Sequence, residues 1–243
     1  MPPNKTYLVT GVSSGLGQYL YENIPVALGL GRDNQEEIFE QARQASNLII
    51  LHSAFNPRRN IADYSLYVED NLFLTKELLS LPHQKFIYFS SVDIYGPFKP
   101  YSFMKRCAED MIKKSARDFL ILRLSVILGP TIRKNSLTRL MEQEKLSLHS
   151  ESVFNYILQS DILEAVMDEK ITSQRGIYNF VTSENVGLAQ LADRYDKEPS
   201  YGEFKYLTYL ENSEEIINLY PHEQRTSLDV ADLFVKSYYK QGV

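Results

Sequence analysis

A single cysteine, Cys107, in 243 residues excludes an intrachain disulfide framework and suits a reducing, cytoplasmic setting. It follows Lys105 by two residues, but no histidine lies near it in sequence to activate the thiol, so a helix-packing role is expected. Histidine is almost as sparse. His52, His83, His149 and His222 are scattered without metal-ligand spacing, and no metal site is expected. No run of ~18 apolar residues occurs and no basic-then-apolar leader opens the chain, so neither a membrane span nor a signal peptide is expected. An excess of positive charge is missing too: the net charge of −5 gives no general footprint for nucleic acid or an anionic membrane. Local basic groups can still meet an anionic substrate. Internal repeats and low-complexity tracts are absent. What remains, 44% hydrophobic and 23% charged residues, is an ordinary globular composition with enough chain for one large domain or one domain and a small appendage.

Short apolar runs then alternate with helical stretches. Lys5 to Thr10 reads as a buried strand, followed by Gly11-Val12-Ser13-Ser14-Gly15-Leu16-Gly17 and a helix to about Glu22. In that context the glycines carry meaning: Gly11 permits a tight turn, Gly15 lets the backbone approach a pyrophosphate, and Gly17 lets the helix pack on the strand. The helix N-terminus offers unpaired N–H groups to the phosphate. Pro25 to Leu30 is expected as a second strand, ending in Gly31-Arg32-Asp33. An acid at that place favours NAD and a basic residue favours the 2′-phosphate of NADP. Arg32 tilts the expectation to NADP, while Asp33 is either the ribose contact or the cap of a helix over Gln35 to Ala45. One helix then leads to a third strand, Asn47 to Leu51, and to His52-Ser53-Ala54-Phe55. The Pro57-Arg58-Arg59-Asn60 segment reads as a solvated loop. Tyr64 to Leu81 is expected as one long helix, apolar on more than one side.

The stretch from Phe86 to Lys105 carries the chemistry. Phe86-Ile87-Tyr88-Phe89 is a buried strand with Ser90 and Ser91 at its end, and Tyr101 and Lys105 share one face of a helix over Tyr101 to Lys114. A nearby ammonium favours the phenolate and lowers a tyrosine pKa, and a serine hydroxyl can donate to an oxygen on which charge develops. Phe119 to Leu124 follows as another strand, running to Gly129-Pro130. This alternation predicts an α/β fold, a Rossmann-like doubly wound parallel sheet with the ligand at the carboxyl ends of its strands. Residues 1–130 form the expected dinucleotide-binding domain. Residues 131–243 form a small, abbreviated C-terminal substrate lobe interleaved with the main sheet. Within it, helices are expected over Asn135–Gln143, from a Ser160-Asp161 cap to Glu169, over Val186–Tyr195 and over Leu228–Lys240. Strands are expected at Phe154–Leu158 and Gly176–Val181.

Taken together, Thr10-Gly11-x-x-x-Gly15-x-Gly17, His52-Ser53-Ala54, Asn71, Ser91, Tyr101-x-x-x-Lys105 and Arg123…Gly129-Pro130 resemble one family in their order. Over residues 5 to 195 the chain is similar to a short-chain dehydrogenase/reductase of the extended, NAD-dependent epimerase/dehydratase type. The resemblance implies Ser91, Tyr101 and Lys105 as the catalytic set: Ser91 polarises a substrate oxygen, Tyr101 is the acid-base, and Lys105 lowers its pKa and binds the nicotinamide ribose. It implies cofactor contacts from Gly11, Ser13, Ser14, Gly15, Leu16, Gly17, Arg32, Ser53, Ala54, Phe55, Asn71, Phe89, Tyr101, Lys105, Leu124 and Val126. It also implies a homodimer paired through the Tyr64–Leu81 and Tyr101–Lys114 helices, and a nucleotide-linked sugar as substrate. Val92-Asp93 departs from the Asp-Glu pair of the 4,6-dehydratases, and Val126 stands where UDP-galactose 4-epimerases carry an asparagine. Arg123-Leu124-Ser125 matches the dTDP-4-dehydrorhamnose reductases, which favours NADP-linked reduction of a keto sugar; epimerisation and non-catalytic nucleotide binding are the alternatives. Only nine residues, Val92 to Pro100, separate the serine from the tyrosine, which leaves room for a smaller or more exposed substrate.

Overall fold

Leu8, Ile50, Phe86 and Ile121 face one side of a sheet and Val9, Leu51, Ile87 and Leu120 the other, and both sides are buried. The protein is seen here as a computed structural model that describes residues 5–56, 64–213 and 215–239. The apolar runs become β1 (Thr6–Thr10), β2 (Ala27–Leu30), β3 (Leu48–His52), β4 (Lys85–Ser91) and β5 (Phe119–Leu124). Downstream follow β6 (Val126–Leu128), β7 (Val153–Phe154), β8 (Tyr156–Leu158), β9 (Gly176–Phe180) and β10 (Val186–Gly187). The main sheet is parallel throughout, in the order β2-β1-β3-β4-β5-β9. The strand order reverses between β1 and β3, and the crevice outside the carboxyl ends of those strands is where such sheets bind ligands. The edge strand beyond β2 in the six-stranded dinucleotide-binding order is missing here, because one helix carries the chain from β2 directly to β3.

The helices are α1 (Gly15–Asn23), α2 (Gln35–Gln44), α3 (Tyr64–Val68), α4 (Leu74–Leu79), α5 (Pro100–Ser115), α6 (Ser136–Met141), α7 (Gln159–Met167), α8 (Glu169–Thr172), α9 (Leu188–Arg194) and α10 (Ser227–Phe234). Leu20 of α1 and Ile24 just after it cover one face of the sheet with Ile162, Ala165 and Val166 of α7. Ile38 and Phe39 of α2, Leu78 of α4, and Ala108 and Ile112 of α5 cover the other. A second core, around Leu128, Leu137, Leu140, Tyr156, Leu188, Leu191, Val230 and Phe234, belongs to the C-terminal region, which also lends β9 and α7 to the main layers. No helix among the described residues is long and apolar enough to cross a membrane.

Four local expectations are revised. The long Tyr64–Leu81 helix is broken by a π turn, Glu69–Phe73, between α3 and α4, and the wider turn buries Asn71. Asn34, not Asp33, stands at the N-cap of α2: its Oδ1 accepts from Gly31 N (2.8 Å) and its Nδ2 donates to Gly29 O (2.9 Å). Helix α7 starts at Gln159, and Asp161, rather than Ser160, reaches back from its first turn to accept from Leu158 N at 3.1 Å. The Phe154–Leu158 run is two strands in different sheets. Between them Asn155, fully buried, exchanges two hydrogen bonds with the Thr182 backbone.

Candidate active site

The turn between β1 and α1 has the backbone its glycines promise. Gly11 and Gly15 lie at φ +74° and +65°, the left-handed region that L side chains seldom occupy. A Cβ on Gly17 would stand 2.4 Å from both Gly11 O and Thr10 O, so only glycine lets α1 sit this close to β1. A Cβ on Gly15 would meet nothing within 4 Å: the loop is open on that side. A backbone-lined turn, open above Gly15 and running into the N-terminus of a helix, fits a pyrophosphate. The later chain grips this loop. Thr131 accepts from Gly15 N at 3.0 Å and donates its hydroxyl to Gly15 O at 2.7 Å, and Arg133 donates to Ser14 Oγ at 3.2 Å. Ser13 is exposed, and Leu16 packs its side chain against the core.

Beneath the loop runs a buried chain of neutral groups. Thr10 Oγ1 accepts from Ser53 N (3.0 Å) and Ala54 N (2.8 Å), so its own hydrogen goes to His52 Nδ1, 3.0 Å away. That leaves the histidine proton on Nε2, facing Thr75 Oγ1 at 2.9 Å, and Thr75 in turn donates to Asn71 O at 2.7 Å. Burial, with the Lys105 charge, pushes His52 down to about 3, so it stays neutral. Ser53 Oγ donates to Thr10 O. Asn71, expected as a cofactor contact, is buried and holds the β3 loop: Oδ1 accepts from Asn56 N (2.8 Å) and Nδ2 donates to Tyr67 O (2.8 Å).

Ser91, Tyr101 and Lys105 come together at the end of β4 and the start of α5, on the same sheet edge as the glycine turn. Ser91 Oγ accepts from Asp93 N at 3.1 Å. Lys105, 3% exposed, donates to Phe89 O at 2.8 Å. Its ammonium also lies 4.3 Å from the Phe55 ring centre, 4.7 Å from that of Tyr88 and 6.0 Å from that of Tyr101. Burial pushes Lys105 down to about 7, with the Glu109 charge pulling the other way. The expected lowering of Tyr101 is reversed. Enclosure by protein raises its phenol, the Asp93 charge adds to that rise, and Ser91 offsets only part of it. Lys105 does not offset this: its ammonium lies 6.0 Å from the ring centre, and burial disfavours its charged form. At the other end of the crevice Arg32 is largely exposed and pairs with Asp70 at 3.2 Å, so its charge is partly met. Leu124 is buried in the core and Val126 lies half-buried on β6. Arg58 and Arg59 lie outside the described residues.

At the β4–α5 link a charged network joins motif residues such as Arg123 and Asp93 to partners that the sequence motifs leave out. Arg123 makes a two-pronged ion pair with Glu109 (3.1 and 2.7 Å) and donates to Tyr95 Oη at 3.1 Å, and Tyr95 donates to Asn179 Oδ1 at 2.6 Å. Tyr206, from the segment after α9, donates to Asp93 Oδ1 at 2.8 Å, and Asn212 donates to Tyr95 O at 2.9 Å. The short Val92–Pro100 link is thus braced by the C-terminal region. Elsewhere the fold gathers Asp161, Glu164 and His222, whose ligating atoms lie within 4.8 Å of one another among the described residues. Asp161 is already committed to Arg225 (2.9 Å), Tyr220 and Leu158 N, which leaves it a poor metal ligand.

Residues 26–162 match the family described as NAD dependent epimerase/dehydratase. No curated protein sequence matches the chain. Among solved structures, a mutant UDP-glucuronic acid 4-epimerase from Bacillus cereus, in complex with UDP-4-deoxy-4-fluoro-glucuronic acid and NAD, superposes with TM-score 0.74 at 16% identity, covering 97% of this chain and 99% of that one. The UDP-glucose 4-epimerase of Thermotoga maritima, with UDP-glucose, gives 0.72 at 18% identity, with coverages of 97% and 99%. That of Thermus thermophilus, in complex with NAD, gives 0.70 at 18%, with coverages of 98% and 100%. At these identities the likeness is one of fold.

Proposed function

Because the chain belongs to the NAD dependent epimerase/dehydratase family, we propose that it is a nicotinamide-dinucleotide-dependent enzyme acting on a nucleotide-linked sugar, with reduction of a keto group as its net reaction. The observation that carries this reading is the meeting of Ser91, Tyr101 and Lys105 beside the glycine turn. The turn and the N-terminus of α1 beyond Gly15, whose own N–H is given to Thr131 O, hold the pyrophosphate, and Lys105, oriented by Phe89 O, serves the nicotinamide ribose. The bound dinucleotide supplies the hydride. Ser91 and Tyr101 hold the carbonyl oxygen, and Tyr101 delivers the proton. A phenol kept protonated by burial and by Asp93 is the form reduction uses. Epimerisation is the second reading, supported by the 4-epimerases with which the fold superposes. That reaction begins by removing a proton from an alcohol and therefore needs the phenolate first. For the cofactor, the family description and the NAD-bound neighbours favour NAD. Arg32 supports NADP, but Asp70 already offsets its charge.

The test is fluorescence titration with NADH and NADPH, then a screen of nucleotide-linked keto sugars for oxidation of the bound cofactor, with UDP-glucose and UDP-glucuronic acid offered alongside NAD for epimerisation. Tyr101→Phe is expected to lower turnover by about 10²- to 10⁴-fold while leaving dinucleotide affinity largely intact. Turnover retained in that variant overturns the assignment. Tight dinucleotide binding with no turnover of any sugar would favour a non-catalytic nucleotide-binding subunit.

A further inference from the structure

Lys105 has three N–H donors, and among the described residues only one is given to a hydrogen-bond acceptor, Phe89 O. The rest of the ammonium meets aromatic faces, which attract a cation but offer it no hydrogen bond. Two of the three rings are fixed. Tyr88 lies within β4 at 1% exposure, and Tyr101 is one turn away on the same helix. Phe55 is different. It is only partly buried and sits on the loop after β3, edge-on to Tyr101 with ring centres 5.0 Å apart. Its backbone is pinned on both sides: Ala54 N donates to Thr10 Oγ1 at 2.8 Å and Asn56 N to Asn71 Oδ1 at 2.8 Å. Its side chain has no hydrogen bond to break, so a rotation about χ1 can move the ring without moving the loop.

We propose that the Phe55 ring is a gate over Lys105, competing for the ammonium with the ribose hydroxyls of the dinucleotide, so that cofactor binding proceeds through displacement of the ring. This rests on the reading that gives Lys105 to the nicotinamide ribose. The gate explains why a residue meant to bind polar hydroxyls is 3% exposed. The closed ring keeps the ammonium from water in a site that must otherwise stay open to a dinucleotide. Opening exchanges a ring face for hydroxyl acceptors, and the low proton affinity of the enclosed amine is relieved in the same step.

The experiment compares the wild type with Phe55→Ala and Phe55→Leu. Reductive methylation of Lys105, followed by peptide mass spectrometry without cofactor, reads the cover directly. Labelling is expected to be slow in the wild type and about tenfold faster in Phe55→Ala, with Phe55→Leu between them because it keeps bulk but loses the π face. Stopped-flow NADH fluorescence reads the gate. A side-chain rotation is over well within the mixing time, so the observed rate should rise linearly with concentration in both proteins, more steeply in Phe55→Ala, with affinity roughly 3- to 30-fold tighter. Equal labelling rates in wild type and Phe55→Ala overturn the gate while leaving the cofactor reading intact. Weaker NADH binding by Phe55→Ala overturns it too, by making the ring a support for the dinucleotide. If neither protein binds NADH or NADPH although labelling accelerates, the ring covers Lys105 but the ribose reading, and the gate with it, fails. Melting temperatures close to wild type are expected for both variants, since the side chain is partly exposed.

Discussion

Two hydrogen-bonded networks flank the residues at the end of β4, one under the glycine turn and one along the β4–α5 link, and they are of opposite kinds. Under the glycine turn the chain Thr10–His52–Thr75–Asn71 is neutral from end to end, with each donor matched to an acceptor. The Val92–Pro100 link, by contrast, is held by charges and phenols: Glu109 with Arg123, Arg123 with Tyr95, Asp93 with Tyr206. A neutral chain is cheap to bury and fixes backbone. On the proposed function, it suits the side that presents N–H groups to a phosphate. A charged network costs desolvation and depends on every partner, but it sets a field where a proton must move.

The sharpest break of this comparison comes from removing one charge. Arg123→Met leaves Glu109, 2% exposed, without its partner and Tyr95 without a donor, and is expected to cost about 3–5 kcal/mol in urea unfolding. The double variant Glu109→Leu/Arg123→Met should recover most of that loss. If the single change costs under about 1 kcal/mol, the two networks do not differ in kind.

The neutral network is tested through His52→Leu, which strands the Thr10 hydroxyl and removes the partner of Thr75. At neutral pH it is expected to cost about 1–3 kcal/mol. The pH dependence carries the sign. The folded His52 lies at about 3, below its ordinary 6.5, so between those values the unfolded chain takes up a proton that the native protein refuses. The stability contributed by His52 is full above about pH 6.5 and is lost as the pH falls toward 3. The gap between wild type and variant should therefore narrow as the solution is acidified, in unfolding curves at pH 7 and 4.5; a constant gap would mean that the histidine titrates normally.

The same contrast decides what the sequence can reveal. Gly11, Gly15 and Gly17 are legible because each answers a local demand of the backbone, and Ser91, Tyr101 and Lys105 because strand end and helix face follow from spacing. The six parallel strands are legible from their apolar runs. The long-range pairings on both sides join residues that no local rule connects: Tyr206 lies 113 positions from Asp93, and Thr131, at the glycine turn, lies 116 from Gly15. Asn71 stands out in sequence, but its hold on the β3 loop follows from the π turn, which the sequence does not show. Lys105 is identified by spacing, but its effect on Tyr101 depends on burial, which spacing does not carry.

Tyr206→Phe is the finest probe of the difference. It deletes one phenol–carboxylate hydrogen bond at a site that is only partly buried, so about 1 kcal/mol of stability is at stake. The ring itself, stacked on Phe154 at 5.3 Å, should stay in place. Freed of its donor, Asp93 can turn, and the link it belongs to loses one of its braces from the C-terminal region, while Asn179 and Asn212 still hold Tyr95. The expected result is a KM for the sugar raised a few-fold, with little change in kcat and none in NADH affinity. A shift in NADH affinity would show the networks to be coupled. A fall in kcat as large as that of Tyr101→Phe would move Tyr206 from bracing the pocket to handling the proton.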